Sequence, residues 1–226
     1  MKNNKIITID GPSGSGKGAI SRLLAQKLGW DLLDSGALYR LVALQSEQEN
    51  IGLADVPALV NIARNLPVVF HSEDADDETR VLLNGEDVSL AIRAEAISER
   101  ASKVAVLPEV REALLQRQRD YATENGLVAD GRDMGTVVFP QAALKLYLTA
   151  SAKARAQRRH KQLLGKGISA KIDGLYSGIL ARDERDASRS SSPLKPADDA
   201  IQIDTTNIGI DEVMQIVVRL VEDLMS

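Results

Sequence analysis

The sequence predicts a three-layer α/β fold around a five-stranded parallel sheet. Two observations carry this expectation. Five short apolar runs alternate with segments of helical periodicity. A glycine-rich turn sits between the first run and the first helix, as it does where a parallel strand feeds a helix at a binding edge. The chain of 226 residues is 44% hydrophobic, 27% charged and only 3% aromatic. That length suits one large domain or one domain carrying an insert. Its core is expected to be Leu, Val, Ile and Ala.

The elements follow in order. Residues 5–9 read as a short buried strand, and 11–18 as the glycine-rich turn. Residues 17–28 place Ile20, Leu23, Leu24 and Leu28 at helical spacing. Residues 31–34 form a second strand and 36–48 a helix. Asp55 caps another helix, to about Asn65. The texture then changes: Val68-Val69-Phe70 and Arg80-Val81-Leu82-Leu83 flank an acidic loop at 73–78, and Asn84-Gly85 is a hairpin turn. Residues 67–93 therefore read as a small antiparallel β insert in a core of residues 1–66 and 94–226. Helices are expected at about 94–106 and 108–124, divided by Pro108. Strands follow at 127–130, 144–148 and 200–204. Two basic helices flank Gly165-Lys166-Gly167, and an amphipathic helix over 210–225 presents Val213, Val217, Leu220, Val221 and Leu224 on one face.

Composition excludes several classes of function. The absence of cysteine excludes disulfide scaffolds, thiol catalysis and Cys-based metal sites. His71 and His160 are isolated, which excludes a His-cluster metal site. No run approaches the ~20 apolar residues of a membrane helix. The apolar run at 6–9 is too short for a signal peptide, so the expected location is the cytoplasm. A net charge of −4 argues against a generic nucleic-acid binder. Residues 151–189, however, carry ten Lys/Arg against four Asp/Glu, which points to a local site for an anion.

Gly11-Pro12-Ser13-Gly14-Ser15-Gly16-Lys17 follows a strand and opens a helix, matching Gly-x4-Gly-Lys in the context it requires. Glycines let consecutive backbone N–H groups converge on phosphate oxygens, and the helix N-terminus adds partial positive charge. Lys17 reaches the outer phosphates as a mobile cation. The fold is therefore of P-loop NTPase type. One position departs from the pattern: a Ser or Thr that ligates Mg²⁺ usually follows the lysine, and here Gly18 and Ala19 stand. Waters or Ser13, Ser15 or Ser21 would have to serve.

No Asn-Lys-x-Asp guanine signature is present. Two other segments sit just after strands: Asp34-Ser35-Gly36-Ala37-Leu38-Tyr39-Arg40, and Asp130-Gly131-Arg132-Asp133-Met134-Gly135-Thr136. Ligands in such sheets bind beyond the strand C-termini, and each segment brings an arginine suited to bidentate phosphate recognition. A loop for a donor phosphate with two arginines for an acceptor phosphate describes a nucleotide-type kinase. Other small-acceptor kinases, for UMP, shikimate or a coenzyme precursor, and a nucleotide-holding module without turnover are the competing readings.

These segments, extended through Val137-Val138-Phe139-Pro140, closely resemble bacterial cytidylate kinases of the nucleoside monophosphate kinase family. So does Arg182-Asp183-x-x-Asp186-x-x-Arg189-x-x-x-Pro193-Leu194. The resemblance spans nearly the whole chain. It implies Mg²⁺-dependent transfer of the γ-phosphoryl group of ATP to CMP or dCMP in pyrimidine metabolism. A monomer is the default expectation, and the charge and the short apolar runs point to no nucleic-acid or membrane partner. Gly18 is usual in that family; Ala19, where Thr is common, departs from it. ATP would be held by Gly11, Pro12, Ser13, Gly14, Ser15, Gly16, Lys17, Gly18, Ala19 and Arg158. On the CMP side, Arg40 and Arg132 would clamp the phosphate, with Ser35 nearby. Ser102, Arg111 and Asp133 would read cytosine, and Arg182 and Asp186 would bind the sugar. Lys17, Arg132 and Arg189 would act on the transferring group, and residues 154–172 would form a lid. The attacking phosphate oxygen is already largely ionised at neutral pH, so no strong general base is needed.

Overall fold

The structure, a computed structural model, describes residues 5–71, 80–165, 167–188 and 192–225. Arg189, Lys166 and the acidic loop expected at 73–78 lie outside the described residues. The chain divides into two compact units, Met1–Asp34 with Tyr121–Ser226, and Ser35–Asp120. The expected 67–93 insert falls inside the second of these.

The first unit holds the parallel sheet. Its strands are β1 (Ile6–Asp10), β2 (Asp31–Asp34), β6 (Leu127–Gly131), β7 (Leu144–Thr149) and β8 (Ile201–Asp204), in spatial order β2-β6-β1-β7-β8. All pair in parallel, so their C-terminal ends share one edge. The register places Asp34 beside Asp130 and Asp10 beside Gly131. Helices α1 (Lys17–Leu28) and α8 (Ile210–Met225) pack together over the sheet. Ile20 and Leu24 of α1 and Val213, Val217 and Val221 of α8 join Ile7, Ile9, Leu146 and Leu148 in the core. Leu224, expected on the same face of α8, is exposed. Helices α6 (Ala152–Gly165) and α7 (Ile172–Ala187) pack on each other.

The second unit begins with α2 (Ser35–Gln48), one residue earlier than its glycine suggests, and continues with α3 (Val56–Asn65). Asp55 caps α3 as expected, accepting the Ala58 N–H at 3.1 Å. Strands β3 (Val68–His71), β4 (Arg80–Leu83) and β5 (Glu86–Asp87) form an antiparallel sheet. Asn84 and Gly85, at φ 52° and 83°, make the turn between β4 and β5. Helices α4 (Glu95–Val104) and α5 (Pro108–Arg119) pack on α2 and α3 respectively. Proline at the first position of α5 suits a site where no amide hydrogen is needed.

Candidate active site

β1 delivers the chain to the C-terminal edge of the sheet, where it must turn at once. Gly11 makes that turn at φ 150°, and a Cβ there would stand 2.0 Å from the Leu148 carbonyl oxygen. Pro12 is buried and Ser13 half-buried, and the Ser15 N–H donates to the Pro12 carbonyl at 3.4 Å. Gly16, at φ 95°, occupies the N-cap of α1. The loop therefore closes around a helix N-terminus, whose free N–H groups and dipole favour an anion.

Lys17 lies within this curl, its Nζ 3.8 Å from the Asp130 carboxylate. Burial pushes the Lys17 ammonium below its ordinary pKa; the charges of Asp130 and Asp34 oppose that, and Arg132 and Arg182 reinforce it. A Cβ on Gly18 would come 3.2 Å from Asp130 Oδ2. The carboxylate thus crowds the position where a Ser or Thr hydroxyl usually points, a physical reason for glycine after the lysine. Ala19 begins the half-buried side of α1.

The turn after β6 carries the second cluster. The Arg132 guanidinium is ion-paired with Asp186 of α7, whose side chain is fully buried. Asp133 is buried, and the next five residues, Met134–Val138, form a single wide π-type turn. Such turns recur at functional sites. This one is pinned from β1: Asp10 Oδ1 accepts the Met134 N–H at 2.9 Å and Oδ2 accepts the Gly135 N–H at 2.8 Å.

Burial raises the Asp10 carboxyl to about 7; the two N–H donors oppose this, and the charges of Asp133 and Asp130 add to it. The sign follows from linkage. The folded state holds this proton more tightly than the unfolded chain, so the group's relative stabilisation is complete below about pH 4 and lost as pH rises through 7. The stability of the unliganded wild type relative to Asp10→Asn should therefore fall by a few kcal/mol between pH 5 and pH 8, at about 1.4 kcal/mol per pKa unit. Urea unfolding at the two pH values checks this, and a constant difference would contradict it.

Two arginines of α6 reach the phosphate loop. Arg155 is buried and donates to the carbonyls of Ala150 (2.9 Å) and Ser13 (3.1 Å). It is also ion-paired with Asp183 of α7. Its side chain packs under Gly14, where a Cβ would lie 3.2 Å from Arg155 Cβ. Arg158 donates to the Ser15 carbonyl at 3.4 Å and to Thr205, whose hydroxyl in turn donates to the Ser15 carbonyl at 2.8 Å. Farther along α7, Arg182 is half-buried, and the Asp186 carbonyl accepts the Leu194 N–H at 2.9 Å. The Arg182, Asp186 and Leu194 positions, separated in sequence, are thus one local structure.

The remaining expected residues belong to the second unit. Ser35 opens α2, buried, its hydroxyl donating to Gln118 Oε1 at 2.7 Å. Arg40 is half-buried on the same helix. Ser102 is buried on α4. Arg111 of α5 is 8% exposed, lies 5.6 Å over the Tyr39 ring and donates to the Ala105 carbonyl at 3.2 Å.

Asp10 falls between the strand and the loop expected from the sequence, and Asp130 enters there only as the first residue of its motif; the contacts of Arg155, Thr205 and Gln118 were not expected. An acid at the end of a buried strand was the available signal for the two aspartates. The others rest on contacts between distant positions.

A protein-family model described as Cytidylate kinase matches residues 7–223. The cytidylate kinase of Shewanella denitrificans is 56% identical over 221 residues, covering 98% of this chain and 97% of that protein. The cytidylate kinase of Pasteurella multocida is 56% identical over 214 residues, covering 95% and 93%. An uncharacterized protein from Eubacterium ventriosum shares the fold at 12% identity, with a TM-score of 0.51 over 98% of this chain and 99% of that one. With a phosphate loop on β1, an Arg-Asp turn on β6, and a family match along almost its whole length, the chain belongs to the cytidylate kinase family.

Proposed function

We propose that the chain transfers the γ-phosphoryl group of ATP to CMP or dCMP, giving ADP and the cytidine diphosphate, with the residues given above in the roles their chemistry suits. The observation that carries this reading is the pairing of two anion-handling segments on adjacent strands, the Lys17 loop after β1 and the Arg132-Asp133 turn after β6.

The donor phosphates lie along the loop from Gly11 to Ala19, with Lys17 and Arg158 as their cations. CMP phosphate exchanges for the carboxylate now paired with Arg132, assisted by Arg40 and Ser35. Asp133 accepts from the exocyclic amine of cytosine, and Arg111 and Ser102 donate to its acceptors. Uracil would set a carbonyl against Asp133 with no proton between them, which disfavours UMP. Arg182 and Asp186 take the sugar, and Arg189 completes the charge on the transferring group. Rate comes from alignment and charge neutralisation rather than from a base.

Mg²⁺ accompanies ATP. Among the described residues no three acidic, His or Cys side chains form a metal cage. Mg²⁺ asks for less, one or two carboxylates with the substrate phosphates and several waters. Asp130, beside Lys17 and Gly18, fits that requirement, with Asp34 next to it in register. When bound, the ion neutralises phosphate charge. Residues 67–93 serve as the insert on the monophosphate side and 154–172 as a lid that excludes water during transfer. The enzyme works as a cytoplasmic monomer without nucleic-acid partners. No helix among the described residues is long and apolar enough to cross a membrane.

The deciding experiment measures ADP release from MgATP with CMP, dCMP, UMP, AMP and no acceptor. Strong turnover with the two cytidine nucleotides alone is expected. Turnover centred on another acceptor would keep the kinase and discard the base site.

A further inference from the structure

We propose that Asp10 is a positioning residue for the transfer: its two carboxylate oxygens hold the turn that carries Arg132 and Asp133 in fixed register with the phosphate loop. The inference rests on the reading of Arg132 and Asp133 as CMP contacts.

Asp10 belongs to both halves of the chemistry. It is the last residue of β1, paired in the sheet with Gly131, and the next residue is Gly11 of the loop. Its backbone therefore leads into the donor site, while its side chain crosses to the acceptor turn. There it meets two convergent N–H donors, those of Met134 and Gly135, one on each oxygen. The turn has little freedom to settle elsewhere. A Cβ on Gly135 would stand 2.9 Å from Thr8 Oγ1, so this segment lies directly against β1. Met134 is fully buried and anchors the other side. The two residues before these amides are Arg132 and Asp133, so a shift of the turn moves both.

Only a carboxylate of this length meets the requirement. Asparagine offers one acceptor oxygen and would present its NH₂ to the second N–H, donor against donor. Glutamate is one methylene longer in a fully packed site. Asp10 is 5% exposed, faces the charges of Asp133 and Asp130, and is raised in pKa by its burial. An acid kept where its charge is costly, with both oxygens committed to one turn, is suited to fixing geometry rather than to adding stability.

The test compares wild type, Asp10→Asn and Asp133→Ala as full chains, with KM and kcat for CMP and UMP and KM for ATP. Asp10→Asn is expected to raise KM for CMP about tenfold or more, lower kcat and erode the CMP over UMP preference, with KM for ATP within about twofold. A purely structural Asp10 would lower the melting temperature and leave the preference intact, and that outcome overturns the inference. Asp133→Ala separates the two failures. A preference abolished by Asp133→Ala but untouched by Asp10→Asn overturns the inference alone. A preference unmoved by Asp133→Ala overturns the base-site reading and the inference with it. Should Asp10→Asn fail to fold, amide hydrogen exchange of Met134 and Gly135 in the wild type decides. Slow exchange supports the clamp, and exchange at the rate of an open loop overturns it.

Discussion

Arg132→Ala is expected to raise the KM for CMP by about two orders of magnitude or more while leaving the KM for ATP within a few-fold. A hydrogen bond to a charged group contributes about 1.5–3 kcal/mol, and a guanidinium makes two to a phosphate. At about 1.4 kcal/mol per tenfold, losing both gives at least that factor. The substitution has a second consequence. In this structure Arg132 is the ion-pair partner of Asp186, which has no exposed surface. Removing one member of a buried pair is costly, up to about 3–5 kcal/mol, because the charge that stays buried loses one of its compensating partners. The melting temperature should therefore fall as well. Adding Asp186→Asn to Arg132→Ala separates the two effects: stability should partly return, and CMP use should not. Steady-state kinetics with each nucleotide varied in turn, alongside thermal melts, provide the measurement. An equal rise in both KM values would remove Arg132 from the acceptor site.

Much of this architecture could be read from local chemistry. The phosphate loop is legible because its constraints lie within eight residues: glycines at positive φ, a lysine, and a strand and helix on either side. Asn84-Gly85 and the Asp55 cap are legible for the same reason. What could not be read depends on partners far away in the chain. Asp10 reaches Met134 across 124 positions, and Arg155 reaches Ser13 across 142. Nothing near either residue in sequence announces its partner. The end of α5 shows the same limit. Periodicity carries that helix to about 124, but it stops at Arg119. Beyond it, Thr123 donates to the Asp31 carboxylate at 2.7 Å, and Gly126, at φ 108°, packs so close to the Trp30 ring that a Cβ would come within 2.5 Å of it. Tertiary contacts override helical propensity there. In β8, expected from the sequence only as a strand, Ile203 alone is buried, because the strand lies at the sheet edge.

Lys17→Ala is expected to produce the opposite kinetic signature: a fall in kcat of about 10²–10³-fold, typical for loss of one charge-stabilising donor, with CMP affinity nearly unchanged. The role proposed for Lys17 is on the donor phosphates. Lys17 opens α1 at the end of the glycine loop, and its ammonium lies 3.8 Å from Asp130 amid the charges of Arg132 and Arg182. Burial already depresses its pKa, so the charged form is held at a cost that only anionic partners offset. Triphosphate oxygens are stronger partners than one carboxylate, and the flexible stem lets the charge follow the phosphoryl group as it moves. Arginine is no substitute. Its planar fork is wider than an ammonium and cannot act as a compact point charge inside a tight loop. Lys17→Arg should therefore recover little of the lost kcat. The loss should also be the same with CMP and dCMP, since the role proposed for Lys17 involves neither the base nor the sugar. Single-turnover transfer, paired with CMP binding by calorimetry, checks each part. A variant that transferred at the wild-type rate but bound CMP weakly would place Lys17 on the acceptor, and the donor and acceptor assignments would have to be exchanged.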